Sequence, residues 1–158
     1  MEVRRTTDDD RPWIAETVRG AFASERLVSR GRVTENVSTL DGFIVENDGR
    51  DIGCALWQEA DGEAELVVLV TTYRGAGAGT ALLDAVVEHA RKSGWKRLWL
   101  VTTNDNTDAI RLYQRAGWDW VAWHRDAVTA SRKLKPELPE VGAHSIPIRH
   151  EIEFEFPL

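Results

Sequence analysis

Seven residues, Tyr73-Arg74-Gly75-Ala76-Gly77-Ala78-Gly79, stand between an apolar run, Leu66 to Val70, and a segment of helical periodicity that begins at Thr80. Glycine loses more backbone freedom on folding than any other residue, so three at alternate positions between a strand and a helix need a structural reason. A Rossmann loop requires G-x-G-x-x-G with an acid about 20 residues further on. Gly75 and Gly77 fit, but Thr80 takes the third position and no acid closes the next strand at that distance. An NTPase P-loop requires a lysine after its last glycine. None occurs from Tyr73 to Arg91. The remaining phosphate reading is a lysine-free cradle, in which successive N–H groups at a helix N-terminus face an anion beside Arg74. The competing explanation is close packing of strand on helix, for which three glycines and an arginine are more than is needed.

The rest of the chain reads as mixed α/β. Val3 to Thr6 is a short strand, and "DDDRPWIAETVRGAF" a helix with an Asp cap and an early proline. "SERLVSRGRVTENVSTL" has weak periodicity and reads as a second short helix or an ordered loop. Three meander strands follow over 41–70, turning at Asn47-Asp48-Gly49 and Asp61-Gly62. The helix after the glycine stretch stops at Gly94; "WKRLWLVTT" is the next strand. "NDNTDAIRLYQRAGW" is a helix capped by Asn106 and stopped by Gly117, with Ala109, Leu112, Tyr113 and Ala116 on one face. "WDWVAWHR" is a strand, "AVTASRKL" a helical turn or two, and "HEIEFEF" a closing strand with Ile152, Phe154 and Phe156 inward.

The 158 residues are expected to form one domain, 1–158. A net charge of −6 argues against nucleic acid or an anionic membrane as the main partner. The single cysteine, Cys54, lies in an apolar run and reads as a core residue. With no apolar signal region and no run of membrane-spanning length, the expected location is cytoplasmic. His89, His124, His144 and His150 lack ligand spacing, so no metal is expected.

"RGAGAG" resembles the R/Q-x-x-G-x-G/A motif of the GNAT (GCN5-related N-acetyltransferase) superfamily. "NTDAIRLYQRAGW" resembles that family's N-x-x-A-x-x-x-Y-x-x-x-G-F segment, with Trp118 in place of phenylalanine. The two motifs come in the family's order, one helix and one strand apart, and the likeness runs from about Ile44 to Trp123. "KLKPELPEVGAHSIPIRHEIE" is similar to a bacterial branch of the family whose substrates are not well assigned. The resemblance implies a central twisted, mostly antiparallel sheet with a splayed parallel pair of strands and flanking helices. It implies acetyl-CoA in the gap between those two strands and no metal. Leu69 and Val70 would bind its pantetheine arm; Arg74, Gly75, Ala76, Gly77, Ala78, Gly79 and Thr80 would cradle its pyrophosphate. Asn106 would cap its helix beside the arm, in a contact role no better supported than a purely structural one.

The same resemblance implies direct acetyl transfer to a primary amine of a small molecule or peptide. Tyr113 would protonate the leaving thiolate, and a backbone N–H near Leu69 or Val70 would meet the oxyanion. A base would neutralise the amine, directly or through water; Glu65, with Glu63 behind it, fits by position, against the alternative of two solvated strand residues. A non-catalytic acyl-CoA-sensing module of the same family is the second reading. Homodimers are common in the family, and the apolar edges of the chain allow one. For the acceptor, Arg26, Arg30 and Arg32 offer a basic loop, Glu151, Glu153 and Glu155 an acidic strand face or a charged sheet edge, and Trp57, Trp118, Trp120 and Trp123 an aromatic pocket.

Overall fold

The computed structural model describes all 158 residues. The strands are β1 (Glu2–Arg5), β2 (Leu27–Ser29), β3 (Arg32–Thr34), β4 (Asp41–Asn47), β5 (Arg50–Ala60), β6 (Glu63–Thr71), β7 (Arg97–Thr103), β8 (Asp119–His124) and β9 (Glu151–Phe156). The helices are α1 (Arg11–Phe22), α2 (Ala78–Ser93), α3 (Thr107–Arg115) and α4 (Ala127–Ser131). Seven strands form one sheet in the order β1-β4-β5-β6-β7-β9-β8, and β2 and β3 form a separate hairpin.

The meander reads as expected because its turns carry the right residues. Asp48-Gly49 and Asp61-Gly62 all have positive φ, the geometry of tight hairpin turns whose twist matches that of the strands. α2 follows β6 and returns the chain to β7 in parallel, which a two-residue turn cannot do. Gly94 at φ 69 caps the end of α2, and its N–H bonds the last turn.

β6 and β7 pair over three positions only, Glu63 with Arg97, Ala64 with Leu98 and Glu65 with Trp99. Beyond Glu65 they part. A bulge lies just past that point: Leu56 pairs with Val68 and Trp57 with Leu66, so Val67 is extra on β6. A bulge bends and overtwists its strand. Here it turns the C-terminal half of β6 away from β7 and opens a V in the middle of the sheet.

The two faces of the sheet carry two cores. On one, Leu82, Leu83, Val86 and Ala90 of α2 pack on Val45, Ala55, Leu66, Leu98, Leu100 and Phe154, and Tyr113 of α3 joins them. On the other, Ile14 and Val18 of α1 pack on Ile44, Cys54, Leu56 and Val68. Cys54 is fully buried and its thiol is pushed up to about 12 by burial, so it is a core residue and no nucleophile.

Three expectations need correction. Residues 27–34 form a β-hairpin rather than a helix or loop; Arg30 and Gly31 both take positive φ and permit a two-residue turn. Asp10 does not cap α1 with its side chain: the carboxylate instead takes two hydrogen bonds from the Arg4 guanidinium, at 2.8 and 2.9 Å, and one from Thr7 N–H at 2.7 Å. β9 is not a sheet edge but runs between β7 and β8, with Glu151 buried.

The long connection between β8 and β9 is tied down at both ends. Asn104 Oδ1 accepts from the N–H groups of Arg149 and His150, and Asp105 accepts from Ala143 N–H. Arg26 donates to the Leu134 carbonyl, and the buried Lys135 ammonium donates to the Arg26 carbonyl, both at 2.8 Å. These bonds hold the connection against the start of the β2–β3 hairpin.

Candidate active site

A cavity of about 340 Å³ opens beside the V, between the loop after β6, the start of α2 and the first turns of α3. Gly75 and Gly77 have φ of 84 and 77, a region that other residues rarely adopt, which explains glycine at these positions. The N–H groups from Gly75 to Thr80 donate no hydrogen bond within the protein. Six unspent donors at a helix N-terminus form an anion cradle in which the helix dipole adds positive charge. Arg74 lies at the rim, largely exposed, its guanidinium 2.8 Å from the Asp108 carboxylate on α3. This donor set suits a group of several phosphate oxygens.

Across the cavity, Asn106 Oδ1 accepts from Ala109 N–H at 3.3 Å, the N-cap bond expected, and its amide donates to Thr102 Oγ1. Leu112, Ala109 and Tyr113 line the wall beyond it. Tyr113 is 7% exposed and packs against Trp118 and Phe154, with ring centroids 6.1 and 5.5 Å apart. Burial pushes its phenol well above the usual tyrosine value, so it stays protonated at neutral pH. Its hydroxyl takes part in none of the side-chain hydrogen bonds while the ring lines the cavity.

The opposite face of the sheet, at the apex of the V, is acidic. Glu65 occupies the last paired position of β6, 8% exposed. Burial pushes its carboxyl above the usual glutamate range, opposed by Arg32 and reinforced by Glu151 and Glu153. Ser29 Oγ approaches from the hairpin but stays buried without a well-aligned partner. The other acids are paired. Glu153 binds Arg97 at 2.6 Å and His124 at 2.9 Å, Glu155 binds Arg97 at 3.0 Å, and Glu151 binds Arg30 at 3.1 Å. Glu63 is half exposed and 3.8 Å from Arg97. Glu65 is the carboxylate of this face that forms no ion pair.

Residues 11–118 match the family described as Acetyltransferase (GNAT) family. The chain belongs to the GNAT acetyltransferase family. It is 42% identical over 116 residues to the uncharacterized protein YdhI of Bacillus subtilis, covering 73% of this chain and 72% of that one. Its fold superposes on the ribosomal-protein-alanine N-acetyltransferase of Brucella melitensis with a TM-score of 0.71 at 18% identity over 100% of both chains. It also superposes on a GNAT acetyltransferase from Elizabethkingia anophelis with acetyl-CoA bound, with a TM-score of 0.68 at 17% identity, covering 99% of this chain and 97% of that one. The splayed mixed sheet with flanking helices is thus the GNAT fold.

Within this GNAT site the structure brings together Leu69, Arg74, Gly75, Gly77, Ala78, Gly79, Thr80, Asn106 and Tyr113 around one cavity. Val70 packs its side chain toward α1 on the other face, so only its backbone is at the V; Ala76 is outside the lining. Five lining residues, Thr71, Tyr73, Asp108, Ala109 and Leu112, were not assigned to the site from sequence. Asp108 was findable, since an acid in the first turn after an Asn cap is placed to meet a loop arginine. The acceptor-side expectations fare differently. Arg26 pairs with Glu35 and Arg30 with Glu151, which leaves Arg32 alone without an ion pair. The four tryptophans form no common pocket: Trp57 and Trp118 are core residues, whereas Trp120 and Trp123 are about half exposed on β8. No group of three or more His, Cys, Asp or Glu residues is arranged to hold a metal ion.

Proposed function

We propose that the chain is an acetyl-CoA-dependent N-acetyltransferase acting on a primary amine of a small molecule or peptide. The observation that carries this reading is the set of six unspent cradle N–H groups beside the V, with Tyr113 lining the cavity on one face of the sheet and the unpaired Glu65 at the apex on the other. The cradle from Arg74 to Thr80 would hold the pyrophosphate. The unpaired backbone of β6 around Leu69 and Val70 would hold the amide-bearing arm in the V, with Asn106 alongside. When bound, acetyl-CoA supplies an activated acyl carbon at the end of that arm.

Glu65 accepts the proton that the amine must lose, directly or through water, and its raised carboxyl makes it a better base than an exposed glutamate. Glu63 is second in line, because Arg97 lies within ion-pair distance of it. A backbone N–H at Leu69 or Val70 meets the negative charge that develops on the carbonyl oxygen. As the new C–N bond forms and the C–S bond breaks, the Tyr113 hydroxyl donates its proton to the departing sulfur.

The test is release of CoA thiol across a panel of primary amines, with wild type and Tyr113→Phe compared. Acceptor-dependent release that falls in the variant supports the enzyme. Tight CoA binding without transfer to any amine, unchanged in Tyr113→Phe, would leave a sensing module instead.

A further inference from the structure

Arg30 takes the first of two left-handed positions at the tip of the β2–β3 hairpin, with φ 51, before Gly31 at φ 72. Such turns favour Asn-Gly or Gly-Gly, so an arginine there carries strain that the surroundings must offset. The offset is a two-point hold on one carboxylate. Arg30 N–H donates to Glu151 Oε2 at 3.2 Å, and its guanidinium donates to Oε1 at 3.1 Å. Glu151 is only 3% exposed and Arg30 is its single ion-pair partner. The same guanidinium comes within 3.9 Å of Glu153.

The groups around Glu65 make this hold consequential. Ser29 and Arg32 approach it from the hairpin, and Glu151 and Glu153 face it from β9. Its strand neighbours, Gln58 on β5 and Trp99 on β7, are uncharged. Glu153 is further compensated by Arg97 and His124, whereas Glu151 depends on Arg30. We propose that Arg30 is a positioning residue for the acceptor side of the reaction: it fastens the β2–β3 hairpin over Glu65 and supplies the positive charge that offsets the β9 carboxylates facing it. The proposal rests on Glu65 as the base.

The test follows the Glu65 carboxyl directly by ¹³C NMR in the full chain, with Glu65→Gln identifying the resonance, alongside the acid limb of kcat/KM for the fastest amine of the panel. Arg30→Gly suits the turn and keeps the N–H bond to Glu151 while removing the charge. It is expected to stay folded with a lowered melting temperature, since the buried Glu151 carboxylate loses its one ion-pair partner, and to move both the resonance midpoint and the acid limb upward by about half a pH unit or more. Arg30→Lys is expected to restore part of that shift, and Glu151→Gln to move the midpoint the other way. If Glu151→Gln does not fold, Arg30→Gly decides alone. An unmoved Glu65 midpoint in folded Arg30→Gly overturns the proposal, even where kcat falls. A Glu65→Gln enzyme that keeps the wild-type acid limb instead overturns Glu65 as base, and the role of Arg30 in the reaction with it.

Discussion

Single residues at this site are set by what surrounds them at long sequence distance. Tyr113 shows this well: one helix face and one motif mark it, but its protonated state comes from the Trp118 and Phe154 packing around it. Tyr113→Phe removes one oxygen from a packed site, so kcat is expected to drop about 10- to 100-fold with little change in acetyl-CoA affinity, read from steady-state kinetics against equilibrium binding. As the proposed base, Glu65 would have to be ionised, and burial raises its carboxyl. Activity is therefore expected to fall with decreasing pH above the usual glutamate range, and a kcat/KM profile flat down to that range would contradict the assignment. The glycines and the Asn106 cap were legible because each satisfies a local backbone rule. The fates of Arg26, Arg30 and Asp10 were not, since each is decided by a partner or a competing cation that local periodicity does not register.

Elements were legible wherever pattern and turn chemistry agreed, as in the β4–β5–β6 meander and in α2 and α3. The β2–β3 hairpin was missed because its turn is Arg-Gly, and its three-residue strands are too short to show alternation. The entry into α1 was misread for a related reason. Asp before an early proline predicts a cap, but Arg4 on β1 competes for the same carboxylate and wins it with two charged hydrogen bonds. Arg4 also reaches Glu46 at 2.7 Å, so β1, β4 and the start of α1 share one anchor. These contacts hold Asp10 down at about 2, below the unfolded value near 4. The stabilisation is thus present above pH 4 and lost as pH falls toward 2. Asp10→Asn is expected to cost about 1 kcal/mol at neutral pH, discounted for the partly exposed Arg4, and only a small fraction of that at pH 2, as read by urea denaturation at both pH values.

For the molecule as a whole, the order β1-β4-β5-β6-β7-β9-β8 places the closing strand inside the sheet, which no reading of strands in chain order supplies. What the sequence does carry at this scale is the break between β6 and β7, through the glycine loop that must follow it. A ligand that fills the cradle and the V binds the folded chain only. Acetyl-CoA at 100 times its Kd is expected to add about 2.7 kcal/mol and to raise the melting temperature by about 5–10 °C, measured by thermal shift; dephospho-CoA and pantetheine should do progressively less. The V also gives the sheet an unusual dynamic profile. Past Glu65, β6 has β5 on one side and no strand on the other, and β7 past Trp99 has β9 alone. An interior sheet therefore contains two short rows of peptide groups that behave like edges. Their amide protons should exchange with deuterium far faster than those of β5, at the centre of the same sheet, and slow most when the V is occupied. In such a protein, the fastest-exchanging amides within the central strands would map the line along which the acyl carrier enters.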